Sequence, residues 1–318
     1  MNKVAQTHLA QTRFIETLEY RRFAEFCDAC RRYRYIGLCY GPPGVGKTLS
    51  AQRYARWEAL QGLDVYRLSR EELFALASCG QPDTILYTPP VANTPRSVTE
   101  DVSSARLLLH RIAREPLHRE EEAVREQRRR RYEEERDQFI ARGEWWDPSH
   151  SPNGPPQPPP YAELAEEFSQ REKAILDPTS LILVDEAERL KMASLEATRD
   201  IFDRGGIGLI LIGMPGIEKR LARYPQLYSR IGFVHEFRPL SVAEVRRLLD
   251  ESWAPPGVSL PSLDHEAVAA IIRITGCNFR LLHRLLAQAE RIAQINELSA
   301  VTRQVIEAAR ESLVIGQL

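Results

Sequence analysis

The sequence predicts an α/β fold, in which a parallel sheet is sandwiched by helices and a small all-helical domain follows. First, an apolar run, Tyr35 to Tyr40, leads directly into a glycine-rich loop and a helix. Second, apolar runs alternate with helical patterns up to about residue 239, which is typical of parallel sheets covered by helices. Third, the remaining pattern is helical. We therefore predict an N-terminal segment and helix (1–34), an α/β domain (35–239) and a helical domain (240–318).

The composition is that of an ordinary globular protein. The 318 residues are 43% hydrophobic and 27% charged, with a formal net charge of −1. Nucleic-acid binding would therefore need a local basic patch. Five cysteines without regular spacing argue against a disulfide framework and for a reducing compartment. The sequence has neither a membrane-length apolar stretch nor a signal-peptide core, so we expect a cytoplasmic protein with no membrane association.

The glycine-rich loop, GPPGVGKT, fits the pattern G-x-x-x-x-G-K-[ST] at every fixed position. Its glycines allow successive backbone N–H groups to point at phosphate oxygens. Lys47 is expected to contact the β- and γ-phosphates, Thr48 to bind Mg²⁺, and the helix from Lys47 to about Leu60 to present its positive end. A glycine-rich turn that binds nothing is the alternative, which the flanking strand and helix disfavour. The predicted nucleotide-binding residues here are Gly41, Pro42, Pro43, Gly44, Val45, Gly46, Lys47, Thr48 and Leu49.

A second motif, LILVDE from Leu181 to Glu186, has four apolar residues followed by two carboxylates. Because parallel strands end at one edge of a sheet, these carboxylates are expected beside the glycine-rich loop. Asp185 would hold Mg²⁺ through water, and Glu186 would orient and polarise the water that attacks the γ-phosphate. The two motifs together predict a site for ATP and Mg²⁺.

The other elements follow from apolar periodicity and turn residues. An amphipathic helix is predicted from Thr12 to Arg34, and its Cys27 and Cys30 are interpreted as core residues rather than a metal or redox pair. Further strands are predicted at Leu63–Leu68, Thr84–Thr88, Ile207–Ile212 and Phe233–Phe237. Further helices are predicted at Arg70–Ala77, Thr99–Arg114, Tyr161–Ala174, Leu190–Asp203 and Gly216–Tyr224, and in the last domain at Ser241–Ser252, Asp264–Thr275, Asn278–Ile295 and Ala300–Ser312.

Residues 115–178 form a compositional insertion. The stretch Glu120–Asp137 is almost entirely Glu and Arg, with opposite charges four residues apart, which predicts a helix with hardly any core face. The run Arg128–Arg131 could contact DNA or a partner, but a solvated mixed-charge helix is favoured. Trp145-Trp146 and Pro148–Pro160 then suggest an exposed loop of polyproline character, used for docking or for anchoring the insertion.

Both motifs, an arginine before the last strand, and GCNFR in the helical domain together resemble the AAA+ ATPases. Within them the chain resembles the TnsC/TniB-type transposition ATPases, relatives of MuB. The phrases LIGMPG (211–216), PQLYSRIGFVHEF (225–237) and GCNFRLLHRLL (276–286) favour that branch. The resemblance covers Thr12 to about Ser312 except the insertion, and it implies an AAA+ domain followed by a helical lid.

The resemblance also implies roles for two arginines. Arg230 matches the arginine finger, which contacts the γ-phosphate bound by the adjacent subunit. Arg280 matches the sensor-2 arginine, through which the lid responds to nucleotide. Without the resemblance, each could be a surface arginine in an ion pair. The chain departs from the family where a polar sensor-1 residue is usual, because Gly213 and Met214 stand there and neither hydrogen-bonds strongly. We therefore expect that hydrolysis is slow, as suits a switch better than a motor, or that it relies on another group that the sequence does not identify.

DNA binding is implied by the resemblance alone. In the family, duplex DNA passes through a ring or helical filament of subunits and is held by its phosphates, with little sequence preference. By that analogy the candidate DNA-binding residues are Thr94, Arg96, Ser97 and Arg106. The alternative is an ordinary loop and helix start.

The implied function is regulation of DNA transposition. ATP-loaded subunits would assemble on double-stranded target DNA and recruit a transposase of the TnsB/TniA kind, and hydrolysis would dismantle the assembly. A target-selection protein of the TniQ/TnsD kind is a further candidate partner. The alternatives are a replication initiator or helicase loader, and a nucleotide-switched scaffold without a DNA role.

Overall fold

The computed structural model describes residues 14–142, 161–251 and 258–313. The chain divides into two compact units, one made of residues 1–58, 84–100 and 180–318, the other of 59–83 and 101–179. The helical domain falls in the first unit together with the sheet, and the second unit contains the predicted insertion. The predictions for Trp145-Trp146 and Pro148–Pro160 lie outside the described residues, as do residues 1–13 of the predicted N-terminal segment.

The first unit contains a parallel five-stranded sheet, which confirms the predicted fold class. Its strands are β1 (Ile36–Tyr40), β2 (Thr84–Tyr87), β3 (Leu181–Val184), β4 (Gly208–Gly213) and β5 (Ile231–Glu236). The order across the sheet is β2-β3-β4-β1-β5. In the register, Leu38 of β1 lies opposite Leu211 of β4, which in turn lies opposite Val184 of β3. Because the strands are parallel, the loops that follow β1 and β3 lie at the same edge of the sheet.

Most of the described residues are helical. The helices are α1 (Leu18–Tyr33), α2 (Lys47–Ala55), α3 (Arg70–Ser78), α4 (Pro95–Ala141), α5 (Tyr161–Ala174), α6 (Met192–Gly205), α7 (Ile217–Leu221), α8 (Pro225–Tyr228), α9 (Val242–Asp250), α10 (His265–Thr275), α11 (Phe279–Ile295) and α12 (Arg303–Glu311). Two 3₁₀ turns cover Trp57–Ala59 and Ala187–Arg189. Within the described ranges, no helix combines the length and apolar character needed to cross a membrane.

Helix α1 buries one face against the sheet. It begins after Thr17, whose hydroxyl accepts a hydrogen bond from the Tyr20 N–H at 3.1 Å. Cys27 and Cys30 are fully buried free thiols. Burial raises the pKa of Cys30 to about 12, so the thiol stays protonated and is a poor metal ligand or nucleophile. The interpretation of both cysteines as core residues is confirmed.

The helical domain has its own apolar core, formed by α9 to α12. Leu282 and Leu285 of α11 and Ile306 of α12 are fully buried within it. Ser241 and Glu244 form a reciprocal capping box at the start of α9. The prediction that this domain contains only helices was wrong in one respect: two short parallel strands, β6 (Ser262–Leu263) and β7 (Ala300–Val301), pair with each other.

The strand predicted at Leu63–Leu68 was wrong, because this segment of the second unit is a turn. The Asp64 carboxylate accepts a hydrogen bond from the Tyr66 N–H at 3.0 Å, and the Asp64 carbonyl accepts one from the Arg67 N–H at 3.0 Å. Tyr66 is 77% exposed while Val65 is buried. An Asx-type turn therefore overrides the short alternating pattern.

The charged stretch Glu120–Asp137 is helical, as predicted. The helix predicted at Thr99–Arg114 begins earlier and ends later than predicted, because α4 runs without interruption from Pro95 to Ala141. All four predicted i,i+4 ion pairs form: Glu121–Arg125, Glu126–Arg130, Arg129–Glu133 and Arg131–Glu135. Three members of the arginine run are thus neutralised by neighbours on their own helix, which favours the interpretation as a solvated helix.

The second unit has a small core of its own. Leu117 of α4 packs with Leu164 and Phe168 of α5. At its margin, Arg171 donates two hydrogen bonds to the Glu120 carboxylate, at 2.7 and 2.8 Å. These contacts pack α5 along α4. The bounds of α5 are those predicted, Tyr161–Ala174.

Candidate functional site

The glycine-rich loop connects the end of β1 to the start of α2 and lies at the carboxyl edge of the sheet. Gly44 and Gly46 have positive φ angles of 82° and 107°, which side chains disfavour. Gly41 is needed for another reason, because a Cβ there would lie 2.2 Å from the Phe237 carbonyl oxygen. The loop is therefore held close to the end of the sheet by glycines at the positions the motif requires.

Lys47 is almost buried, with 8% exposure, and lies under the loop. Its ammonium donates hydrogen bonds to the carbonyls of Gly41 at 2.6 Å and Pro42 at 2.8 Å. Burial lowers the pKa of Lys47, and the nearby Asp185 and Glu188 carboxylates act in the opposite direction. A cation held at this place is suited to neutralise phosphate charge.

The predicted magnesium ligands lie together. The Thr48 hydroxyl donates a hydrogen bond to Asp185 Oδ2 at 2.7 Å, although the two residues are 137 positions apart. Asp185 is 3% exposed, and its Oδ1 accepts a hydrogen bond from the Glu186 N–H at 2.9 Å. Among the described residues no cluster of three or more His, Cys, Asp or Glu could hold a metal alone. A hydroxyl and one carboxylate fit Mg²⁺, which takes its remaining ligands from phosphates and water.

Glu186 follows Asp185 with a left-handed backbone, φ 50° and ψ 42°, and starts the 3₁₀ turn Ala187–Arg189. Its carboxylate forms an ion pair with Arg189. Arg189 also donates to the Pro89 carbonyl at 3.2 Å, and its own carbonyl accepts from the Asn93 amide at 3.0 Å. The predicted water-orienting carboxylate is therefore tied to the segment that follows β2.

The helical domain, which is the predicted lid, contacts the loop through the start of α11. The Asn278 amide donates a hydrogen bond to the Pro43 carbonyl at 2.8 Å, and the Arg280 N–H donates to the Gly44 carbonyl at 3.0 Å. A Cβ on Gly44 would lie 2.7 Å from both Asn278 Oδ1 and Arg280 Cβ. In the part of the chain that the structure describes, Arg280 has no carboxylate within ion-pair distance, which disfavours its interpretation as a surface salt bridge. Its sensor-2 role stays a prediction.

The loop, the carboxylates and the lid surround one cavity of about 630 Å³, within the size range of small-molecule sites. Three lining residues carry no role in the sequence analysis: Glu188, Phe279 and His283. Phe279 and His283 both belong to the phrase GCNFRLLHRLL, whereas the sequence offered no signal for Glu188. The cavity is lined by Pro43, Gly44, Gly46, Lys47, Thr48, Leu49, Asp185, Glu186, Glu188, Gly213, Met214, Phe279, Arg280 and His283.

The place expected for sensor 1 is occupied as the sequence predicts. Gly213 ends β4, and the Met214 sulfur is 4.0 Å from the Lys47 ammonium. The Cα of Gly213 lies against another polar group, because a Cβ built there would lie 2.8 Å from Glu188 Oε2. A carboxylate from the turn after β3 therefore stands where a β4 side chain would be.

Arg230 lies outside this cavity. It precedes β5 and forms an ion pair with Asp203 of α6, with Nε 2.7 Å from Oδ1, and donates to the Gln226 carbonyl at 2.6 Å. Its side chain is 37% exposed. Within this chain it is thus a surface arginine paired with an acidic residue. Its proposed action on a neighbouring subunit stays a prediction.

The candidate DNA-binding residues are engaged locally. Thr94 and Ser97 exchange hydrogen bonds at the start of α4, and Arg96, 88% exposed, pairs with Glu100 at 2.7 Å. In the second unit, Arg106 pairs with Asp177 at 2.6 Å. Only Arg96 of the four offers a largely exposed cation. These contacts favour an ordinary helix start, and the DNA contact stays a prediction.

Comparisons with known proteins agree with this site. Residues 30–221 match a family model described as an AAA domain. A Staphylococcus aureus protein described as a potential ATP-binding protein is 39% identical over 308 residues, covering 95% of this chain and 97% of that protein.

Two solved structures are similar in fold. The RuvB Holliday junction branch migration motor of Thermotoga maritima has a TM-score of 0.50 at 14% identity, covering 95% of this chain and 71% of RuvB. The ORC1 protein of Aeropyrum pernix, solved in complex with DNA, has a TM-score of 0.48 at 19% identity; the match covers 92% of this chain but only 64% of ORC1.

The family match covers more than half of the chain, and its limits include the glycine-rich loop, Asp185 and Glu186. The Staphylococcus relative extends the similarity over nearly the whole chain, lid included. With the loop, the buried lysine and the paired Thr48 and Asp185 placed around one cavity, the sequence and the geometry agree on nucleotide binding. The chain belongs to the AAA-domain family of ATP-binding P-loop proteins, the AAA+ ATPases.

Proposed function

We propose that this protein hydrolyses ATP with Mg²⁺ and that nucleotide controls its assembly on double-stranded DNA, as a regulator of DNA transposition. The hydrogen bond between Thr48 and Asp185 supports the ATPase part most directly, because it joins the two predicted metal ligands beside the phosphate loop. Mg²⁺ would neutralise phosphate charge, while Lys47 binds the phosphates and Glu186 orients the attacking water. The oligomer would be a ring or helical filament in which Arg230 acts across the interface.

The transposition role rests on the sequence phrases that resemble TnsC/TniB-type ATPases. The fold similarity to RuvB does not separate this role from that of a replication initiator or helicase loader, since it supports only the common fold. A transposase and a target-selection protein are accordingly the proposed partners.

A nucleotide-switched scaffold remains the second candidate. The local pairing of Thr94, Ser97 and Arg96 favours it, because these side chains already have partners within their own helix start. In that case ATP would change the lid and the subunit contacts without any role for DNA.

Electron microscopy with a non-hydrolysable ATP analogue, with and without duplex DNA, separates these candidates. Rings or filaments that need both nucleotide and duplex support the DNA-dependent assembly. Assemblies that need nucleotide alone support the scaffold. Unassembled particles under every condition contradict both. A transposase that is retained by the assembled protein in a pull-down would support the transposition branch.

Glu186→Gln tests the assigned chemistry. The amide keeps the shape of the side chain but cannot polarise water as a carboxylate does, so turnover should fall by about 100-fold or more while ATP binding and assembly persist. Steady-state phosphate release and binding of a fluorescent ATP analogue measure the two effects. A variant that hydrolyses ATP at the wild-type rate would refute the assignment.

A further inference from the structure

Glu188 is one of the three lining residues of the nucleotide cavity that the predicted chemistry does not use. Its Oε2 atom is buried and has no hydrogen-bond donor among the described residues. A buried carboxylate oxygen without a donor is costly, and such groups in folded proteins usually await a ligand or water. The oxygen faces the Cα of Gly213, at the carboxyl end of β4.

The backbone that carries Glu188 is fixed. Ala187 and Leu190, on either side, are buried to within 1% exposure. Arg220 of α7 donates a hydrogen bond to the Glu188 carbonyl at 2.6 Å and another to the Leu190 carbonyl. The carboxylate is therefore presented to the cavity from a rigid turn, which is the arrangement expected of a group that orients a reactant.

Gly213 makes room for this carboxylate. Any side chain at position 213 would place its Cβ 2.8 Å from Glu188 Oε2 and 2.7 Å from Ile217 Cδ1. The glycine at the end of β4 thus leaves the space that the Glu188 carboxylate of the neighbouring turn occupies. Glu188 also lies near enough to Lys47 for its charge to act on the pKa of that lysine.

We propose that Glu188 is a second catalytic carboxylate, which accepts a hydrogen bond from the attacking water at the γ-phosphate end of the cavity. This inference rests on the proposed ATPase function. A water molecule has two hydrogens, so Glu186 and Glu188 can each accept one and leave an oxygen lone pair directed at the γ-phosphorus. The new bond joins the water oxygen to phosphorus, the bond from phosphorus to the ADP oxygen breaks, and one proton of the water passes to Glu186.

The proposal has a consequence for binding as well as for turnover. A carboxylate one water away from the γ-phosphate repels it, whereas ADP lacks that phosphate. Glu188→Gln should therefore bind ATP about three- to tenfold more tightly with ADP affinity unchanged, and hydrolyse it about tenfold or more slowly. Glu134→Gln, on the exposed surface of α4, removes the same charge away from the cavity and is the matched control.

Moving the polar group tests the pairing with Gly213. Gly213→Asn alone should slow hydrolysis as Glu188→Gln does, because its side chain displaces the carboxylate. Glu188→Ala combined with Gly213→Asn should recover part of the activity that Glu188→Ala loses, since the amide occupies the vacated place. A purely structural role for Glu188 predicts no such recovery.

The experiment measures phosphate release and the dissociation constants of fluorescent ATP and ADP analogues for the full chain and these variants, with thermal unfolding as the folding control. Slower hydrolysis by Glu188→Gln with a higher ATP-to-ADP preference supports the proposal. Wild-type turnover with an unchanged preference overturns it, as does an equal loss of ATP and ADP binding. If the wild-type chain itself releases no phosphate, the proposed ATPase function fails. The ATP-to-ADP preference of Glu188→Gln then tests only whether the Glu188 carboxylate lies near the γ-phosphate.

Discussion

Asn278→Ala should separate the stability of the lid from its control over ATP binding. Asn278 is 6% exposed and caps α11, its Oδ1 accepting hydrogen bonds from the N–H groups of Arg280 at 3.1 Å and Leu281 at 3.3 Å. Its amide also donates to the Pro43 carbonyl at 2.8 Å. Loss of an N-cap costs about 1 kcal/mol, and loss of the buried hydrogen bond to the loop costs about 1 kcal/mol more.

The hydrogen bond from Asn278 to Pro43 is the contribution that should affect nucleotide binding. Because the Pro43 carbonyl belongs to the phosphate loop, losing about 1 kcal/mol of lid contact should weaken ATP binding by about fivefold. Asp264→Ala is the matched control, since Asp264 caps α10 in the same domain, accepting from the Ala267 N–H at 2.6 Å, without contacting the loop. It should lose about 1 kcal/mol of stability and keep its ATP affinity.

Urea unfolding measures the stability of both variants, and titration with a fluorescent ATP analogue measures their affinity. Asn278→Asp adds a third comparison, because it keeps the cap but loses the amide donor to Pro43. It should therefore keep the contribution of the cap, lose the roughly 1 kcal/mol of the contact with Pro43, and bind ATP more weakly. If Asn278→Ala and Asp264→Ala weaken ATP binding equally, the reasoning about the lid contact is refuted.

Two further predictions concern an ion pair and a buried histidine. Arg189→Ala should raise basal hydrolysis by up to about fivefold, because it releases Glu186 from a partly exposed ion pair worth at most about 1 kcal/mol. The control is Arg204→Ala, which removes a surface ion pair with Asp200 and should leave hydrolysis unchanged. A fall in phosphate release by Arg189→Ala would contradict the proposed restraint of Glu186. Burial lowers the pKa of His235 from 6.5, so its contribution to stability is present above pH 6.5 and is lost as the pH falls through the lowered pKa. His235→Phe should therefore lose less stability than the wild type between neutral and acidic pH in urea unfolding, and identical pH slopes would count against the assignment.

The sequence predicted the fold where local patterns are long and uniform. Strands β3 and β4 are runs of four and six residues buried throughout, and such runs leave little choice of structure. The segment Leu63–Leu68 shows the limit, since six alternating residues fit a strand but one Asp64 side chain forms a turn. Likewise the helix was predicted to begin at Thr99 but begins at Pro95. The first residue of a helix needs no N–H for the helical hydrogen bonds, so a proline fits there.

The candidate site likewise contains residues that the sequence could predict and contacts that it could not. Lys47, Thr48, Asp185 and Glu186 could be predicted because each lies inside a short motif whose residues act together. The contact of Asn278 with Pro43 joins residues 235 positions apart, and no periodicity of either segment reports it. Glu188 follows the second motif by only two residues, but its meaning depends on Gly213 of another strand. Such pairings are decided by sheet order and register, which local patterns do not encode.

Two ion pairs are relevant to the rate of ATP hydrolysis expected of the isolated chain. Glu186 is tied to Arg189, and Arg230 is tied to Asp203, so two groups with predicted roles in hydrolysis are both held by other residues of the same chain. All four side chains are between about a third and two fifths exposed, and pairs of that kind are worth about 1 kcal/mol or less. A γ-phosphate beside Glu186 or a neighbouring subunit beside Arg230 could therefore displace either pair. If the chain hydrolyses ATP as proposed, we therefore expect slow turnover of the isolated chain and faster turnover on assembly.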